Sequence, residues 1–191
     1  MERIRAFVAI ELTEEVAAAL GRVRRRLKEQ VALAVRWLDP KNTHLTLMFL
    51  GDVDSERVDG VKQAIERATA GVGPFSISLG RVGGFPNLSR PRVLWVGVEG
   101  DLPALRGLQD RVEREMTALG FPKEERGFQP HLTLGRVREE GRRAPPLDAP
   151  AIERAVASVG AGQTVEGLTL FRSDLRPSGP VYTALGTFPL R

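Results

Sequence analysis

The chain has 191 residues, with 28 Lys and Arg against 24 Asp and Glu for a formal charge of +4, and it is 42% hydrophobic and 27% charged. That is the composition of a globular fold with a core of its own, one domain or two small lobes, and it excludes collagenous, disordered and disulfide-scaffold classes. The absence of cysteine excludes disulfides, thiolate nucleophiles and thiolate metal sites together.

Arg5 to Leu12 reads as a buried strand, with Thr13 as the N-cap of a helix to about Gln30 whose apolar face is Val16, Leu20, Val23 and Leu27. Pro40 and Asn42 mark a loop, and Thr43 to Leu50 is a strand. A second helix begins near Asp54 or Ser55, carries Val58, Val61, Ile65 and Ala68 inward, and ends at Gly71 or Gly73. Phe75 to Val82 is a strand, and Gly83 to Pro91, with two Gly and two Pro, is the expected hinge between halves. Arg92 to Glu99 is a strand, and Asp101 caps a helix with Leu105, Leu108, Val112, Met116 and Leu119 inside. After a loop from Phe121 to Pro130 comes a strand from His131 to about Val137, then a charged loop, Arg138 to Pro146. Asp148 caps a short helix through Val159, and strands near Gln163 to Phe171 and Val181 to Pro189 close the chain.

No apolar run approaches the roughly 18 residues of a membrane helix. Met1 to Leu12 interleaves Glu2, Arg3, Arg5 and Glu11 with apolar residues and lacks the blocks of a secretory signal. The expectation is a cytoplasmic protein without a membrane role. Arginine supplies 24 of the 28 basic residues; its planar fork suits phosphate, although charge alone names no partner.

The order strand, helix, strand, helix, strand occurs twice, and residue matches recur at one offset. Arg5 and Arg92 are 87 residues apart, as are His44-Leu45-Thr46-Leu47 and His131-Leu132-Thr133-Leu134, and Ala64 to Ala68 and Ala151 to Ala155. Such coincidences argue for two copies of one module related by an internal two-fold axis, about residues 1–86 and 91–191 of a single domain.

The chain has two histidines, and each is followed by Leu-Thr-Leu. Strand side chains alternate, so His44 and Thr46 project from one face while Leu45 and Leu47 build core, and the second copy repeats this. A two-fold relation would set the two polar pairs facing across a groove. Near neutral pH one imidazole of such a pair can accept a proton while the other donates one. Displacement at phosphorus needs that division: a base for the attacking oxygen, an acid for the departing one, and hydroxyls, here Thr46 and Thr133, for the non-bridging oxygens. No metal or other cofactor is called for. A single His-Leu-Thr-Leu would read as a half-exposed strand with a satisfied histidine; two at a shared offset do not. A dinuclear metal centre lacks carboxylates at ligand spacing, the nearest in sequence being Asp39, Asp52, Asp54 and Glu125. A serine nucleophile lacks its elbow sequence.

Arg5-Ala-Phe7-Val-Ala-Ile, Asn42-Thr-His44-Leu-Thr46-Leu-Met-Phe49-Leu-Gly51, Pro130-His131-Leu-Thr133-Leu-Gly-Arg136-Val, and Gly179-Pro-Val-Tyr182 with Phe188-Pro-Leu190 resemble the two-histidine phosphoesterases over almost the full length. Within them they resemble the bacterial and archaeal RNA 2′,3′-cyclic phosphodiesterases, also called 2′-5′ RNA ligases. The resemblance implies a bilobed α+β fold, with antiparallel sheets lining a central groove and helices outside. It implies hydrolysis of a 2′,3′-cyclic phosphate at RNA or nucleotide ends, tRNA fragments among them, to a 2′-phosphate, with reversible 2′-5′ ligation as a side activity. It implies His44 as the acid and His131 as the base, although pseudo-symmetry leaves either order geometrically reasonable. Phe7, Trp37, Phe49, Phe85 and Tyr182 are candidates for stacking on a base, and Arg136 for holding phosphate. Strict alternation turns Phe49 and Arg136 away from the histidine face unless a bulge intervenes. The alternatives are a noncatalytic RNA-end-binding module, and the same chemistry on ADP-ribose cyclic phosphate or 2′-5′ oligonucleotides. No obligate protein partner is evident.

Overall fold

The structure, a computed structural model, describes residues 2–32, 34–125, 127–143, 145–156, 160–176 and 179–191. Strand β1 (Arg3–Ile10) leads into helix α1 (Glu14–Gln30), which starts where the Thr13 hydroxyl accepts the Val16 N–H at 3.4 Å. Glu14 and Glu15 at its first turn and Lys28 at its last suit the helix dipole. Val16, Leu20, Val23 and Leu27 are buried at helical spacing. Next come β2 (Val35–Trp37), β3 (Leu45–Asp54), α2 (Val58–Thr69) and β4 (Phe75–Phe85). The second half repeats the pattern as β5 (Val93–Gly100), α3 (Leu102–Ala118), β6 (His131–Val137), α4 (Ala149–Val156), β7 (Gly162–Val165), β8 (Gly167–Arg176) and β9 (Gly179–Pro189). Asp101 and Asp148 cap α3 and α4 as expected, accepting the Ala104 and Ala151 N–H groups at 3.0 Å.

The strands form two antiparallel sheets, four-stranded in the order β3-β1-β8-β9 and five-stranded in the order β2-β6-β5-β4-β7. The architecture is therefore α+β in two lobes, but the lobes are not the sequence halves. The first-half pair β3-β1 is completed by β8 from the second half, and β6-β5 is completed by β4 from the first. The helices exchange in the same sense: α2 and α3 pack together against the four-stranded sheet, α1 and α4 against β7 and β4 of the other. The first half lends β2, β4 and α1 to the five-stranded lobe and the second half lends β8, β9 and α3 to the four-stranded one, which is how a duplicated module becomes one domain.

Apolar residues on the helix-facing sides of both sheets, such as Ile4, Ala6, Val8 and Ile10 of β1 and Leu94, Val96 and Val98 of β5, join one continuous core. A separate small cluster, Phe7, Ala9 and Phe171 with Tyr182 against it, occupies the opposite face of the four-stranded sheet.

Several expectations are corrected. Gly83 to Pro91 is not a hinge between lobes: β4 continues through Phe85 and pairs with β5 inside one sheet, Gly83 opposite Trp95. The two glycines there serve close approach, because a β-carbon on Gly83 would overlap the Trp95 ring and one on Gly84 would meet the Asn87 carbonyl oxygen at 2.8 Å. Strand β3 does not stop at Gly51; it runs on to Asp54, with Gly51 at φ +68°, a conformation that favours glycine, beside a bulge. The Arg5 and Arg92 match is one residue out of phase with the sheet faces, since Arg5 alternates with Phe7 while the position alternating with Trp95 is Val93. A 3₁₀ turn, Ser55–Arg57, precedes α2. The end of the last helix expected to reach Val159 lies outside the described residues beyond Val156. Strand β2 has no counterpart among the elements expected from sequence.

Candidate active site

His44 lies one residue ahead of β3, and His131 opens β6. The His44 ring is enclosed by aromatics: Phe171 at 4.4 Å between centroids, Tyr182 edge-on at 5.3 Å and Phe7 at 6.0 Å. The His131 ring meets Phe85 edge-on at 5.0 Å and Trp95 at 6.1 Å. Each imidazole thus stands on the face of its sheet turned away from the helices.

A bulge follows each motif at the same place. In β3, Met48 is opposite Val8 and Thr46 opposite Ala9, which leaves Leu47 unpaired; in β6, Gly135 is opposite Leu94 and Thr133 opposite Trp95, which leaves Leu134 unpaired. Leu47 and Leu134 are 87 residues apart, so the irregularity belongs to the repeated unit. Its effect is to shift the alternation by one. Leu47 and Met48 are both buried, and Phe49, 63% exposed, emerges on the face of His44 and Thr46 with its ring 5.8 Å from Phe7. Arg136 likewise emerges, exposed, on the face of His131 and Thr133. Strict alternation would have turned both away.

His131 Nδ1 lies 2.7 Å from the Gln129 carbonyl oxygen. A carbonyl only accepts, so Nδ1 carries the proton and donates it, leaving Nε2 as the nitrogen open to a ligand, a lone pair when the ring is neutral. His44 differs. Burial among rings holds its pKa below the ordinary histidine value, and the Glu11 carboxylate opposes that shift. In sequence Glu11 is only a charge in an apolar run. Ile10 is opposite Leu45, the pair that ends the β1-β3 ladder, and Glu11 and His44 follow directly on it. Its carboxylate accepts the hydroxyl of Thr169, 3% exposed, at 2.8 Å. Gln163 fastens the same segment, donating to the Glu11 carbonyl at 2.8 Å and accepting the Thr13 N–H at 2.9 Å. Glu11→Gln removes the group that favours the charged ring and leaves desolvation unopposed, so the His44 pKa should fall further. With two histidines in the chain, proton NMR titration of two imidazole C2–H resonances reads this directly; an unmoved or raised His44 pKa contradicts it.

Tyr182, opposite Ser173 in the β8-β9 ladder, brings the two lobes into electrostatic reach. Burial raises its phenol pKa, and Arg136 of the five-stranded sheet and Arg5 of the four-stranded sheet pull it back down. The ring that touches His44 is therefore also within the field of the arginine that shares a face with His131.

The remaining aromatics divide. Phe7, 4% exposed, is stacked on Phe171 at 5.2 Å and covered by Phe49 and Tyr182, so it is a floor under His44. Trp37 is not at the site: it packs on the main core, with Lys28 Nζ 5.8 Å from its ring centroid. Phe85 does reach His131. Phe171 and Trp95, ordinary strand residues by sequence, are in the two clusters; alternation from Phe7 and His131 through the ladder would have found them had the pairing been known. Among the described residues no group of three or more His, Asp or Glu side chains is placed to hold a metal ion, and no helix is long and apolar enough to cross a membrane.

Two sheets, each carrying His-x-Thr at the start of a bulged strand, define a phosphoesterase of the two-motif kind, and comparison with known proteins agrees. The model of the LigT-like phosphoesterase family matches the chain twice, over residues 10–95 and 96–182, and the chain belongs to that family. It is 35% identical over 195 residues to a protein of Methanothermobacter thermautotrophicus named RNA 2′,3′-cyclic phosphodiesterase, covering 98% of this chain and all of the relative. It is also 35% identical to the protein of that name from Thermus thermophilus, covering 98% and 91%. Among solved structures it resembles TT0787 of Thermus thermophilus, with a TM-score of 0.79, 33% identity and 98% of each chain covered. It also resembles LigT of E. coli complexed with 3′-AMP, with a TM-score of 0.75, 26% identity and 99% of each chain covered.

Proposed function

We propose that this protein hydrolyses 2′,3′-cyclic phosphodiesters at RNA or nucleotide ends to 2′-phosphomonoesters, with His44 and His131 as the acid-base pair. The observation that carries the reading is the repetition of His-Leu-Thr-Leu with its bulge on β3 and β6, two strands of different sheets that approach one another. The full-length relatives named for this activity support it.

The donor geometry at His131 favours it as the base. With Nδ1 donating to Gln129, a neutral ring presents the Nε2 lone pair to a water molecule and takes its proton. The hydroxide so formed attacks phosphorus, and the ring bond to the 3′ oxygen breaks as His44 delivers a proton there. In the free protein burial disfavours the His44 cation; the anionic phosphodiester, arriving beside a ring already near Glu11, favours it, so substrate itself loads the acid. Thr46 and Thr133 donate to the non-bridging oxygens, where charge grows in the transition state. Arg136 neutralises the phosphate, and Phe49 and Tyr182 offer ring faces to a base, with Phe7 supporting them from below. With the 5′ hydroxyl of a second RNA end attacking phosphorus in place of water, the same pair would form a 2′-5′ linkage as the ring bond to the 3′ oxygen breaks and that oxygen takes a proton.

Incubation with a nucleoside 2′,3′-cyclic phosphate in excess chelator, followed by phosphorus-31 NMR, tests the reading. A growing 2′-monophosphate signal is expected. A 3′-monophosphate, or binding without turnover, contradicts it, and the latter outcome is that of an RNA-end-binding module.

A further inference from the structure

Strand β2, not expected from the sequence, places a second arginine beside Arg136. In the β2-β6 ladder Val35 is opposite Val137, Arg36 opposite Arg136 and Trp37 opposite Gly135. Val35 and Trp37 pack on the main core, so Arg36 between them projects from the other face, the face of Arg136, Thr133 and His131. Both arginines are exposed, and neither has an acidic partner among the described residues. Directly opposed residues of an antiparallel pair hold their side chains within about 5.5 Å of each other at the β-carbon, and like charges there are destabilising. The fold elsewhere pairs arginine readily, as in Arg172 with Asp174 and Glu2 and Arg67 with Glu115. Two adjacent guanidinium groups at the sheet edge, neither in an ion pair among the described residues, leave a concentrated positive charge there.

The position of the pair names the ligand. Because of the bulge at Leu134, Thr133 and Arg136 lie opposite Trp95 and Val93, two residues apart, so Arg136 is about 7 Å along the strand from Thr133. Arg36 lies one strand further out, roughly 4.8 Å beyond. An anion bound by Arg36 is therefore set to one side of the phosphate held between the histidines and connected to it along one wall.

We infer that Arg36, beside Arg136 and the terminal phosphate that Arg136 neutralises, forms a second phosphate subsite, which takes the 3′-5′ phosphodiester immediately upstream of the terminal cyclic phosphate and makes an oligoribonucleotide end, not a lone nucleotide, the preferred substrate. The inference deepens the reading under Proposed function and rests on it for the position of the terminal phosphate. Guanidinium forks bind the non-bridging oxygens of a diester in pairs of hydrogen bonds, and the repulsion between the two arginines is relieved when an anion lies between them.

Equilibrium binding is measured for two product-like ligands, a nucleoside 2′-monophosphate and the dinucleotide carrying the same 2′-phosphate plus one 3′-5′ phosphodiester. The protein should bind the dinucleotide at least about tenfold more tightly at low salt, and Arg36→Gln should bring the ratio close to one. The slope of log K against log salt for the dinucleotide should fall by about 0.7, the loss of one phosphate contact on a single strand. Arg36→Lys should keep most of the preference. Because Arg36 faces a like charge, Arg36→Gln should melt no lower than the parent, whereas a merely structural arginine would lower Tm. Equal affinity for the two ligands in the parent protein, or an unchanged ratio in Arg36→Gln, overturns the subsite. Turnover of a nucleoside 2′,3′-cyclic phosphate, measured alongside, separates the two readings: failure to hydrolyse it with the binding preference intact overturns the activity and leaves the subsite standing.

Discussion

Alanine at His44 or at His131 is expected to lower kcat on a nucleoside 2′,3′-cyclic phosphate by about 10²- to 10⁴-fold, the range that general acid or base catalysis contributes. Binding of a 2′-monophosphate should change far less if Thr46, Thr133 and Arg136 hold the phosphate as proposed. The two losses should not multiply. A base without its acid activates water toward a leaving group that cannot depart, so the double variant should be little worse than either single one. Neither change threatens the fold: both rings are half-buried at the start of a strand, outside the core joined by Leu45, Leu47, Leu132 and Leu134. The pH profiles carry a sign as well. Loss of the His44 proton should occur below the ordinary histidine range in the free protein, because burial lowers its pKa, so the limb for that group in kcat/KM lies at lower pH than in kcat, where bound phosphate favours the cation. Undiminished turnover in both single variants, measured at saturating substrate, contradicts the acid-base pair.

The second large effect concerns folding. Residues 1–90 and 91–191, produced separately, should each fail to fold, although each carries one complete copy of the repeated sequence. Residues 1–90 supply β1 and β3 as one pair, but β2 and β4 are not neighbours in their own sheet and are bridged only by β6 and β5. Residues 91–191 supply β8 and β9 without β1, the strand that joins them to β3. Isolated two-stranded pairs are marginal in water, and the helix packed on each sheet comes partly from the missing half. Circular dichroism and a thermal scan should show no cooperative transition for either piece, and mixing should restore one. A half that melts cooperatively alone contradicts the exchanged topology.

The family and the residues of the candidate site were legible in the sequence because they are written in local motifs. His-Leu-Thr-Leu fixes residue types at spacing two, and its recurrence at offset 87 needed no knowledge of the fold. Helix starts were legible for the same reason: Thr13, Asp101 and Asp148 cap through contacts three residues ahead. What was not legible depends on partners far away in the chain. The bulges at Leu47 and Leu134 exist only relative to β1 and β5, and without them Phe49 and Arg136 point the wrong way. Glu11 is remote from His44 in sequence, and the two follow directly on the Ile10 and Leu45 pair that ends the β1-β3 ladder. Gly83 and Gly84 carry the composition of a hinge, yet they are glycine because the Trp95 ring and the Asn87 carbonyl oxygen occupy the space a side chain would need. Three residues, Val35 to Trp37, are too short to declare a strand by alternation, and with them went Arg36 and the true place of Trp37.

The most direct test is a crystal structure of the protein with a nucleoside vanadate, a mimic of the five-coordinate phosphorus of the transition state. His44 and His131 should each place a ring nitrogen about 2.6–3.2 Å from apical oxygens on opposite sides of the one vanadium atom, with the Thr46 and Thr133 hydroxyls on equatorial oxygens. A vanadate held by one imidazole, with the other turned away or beyond reach of any apical oxygen, would contradict the account.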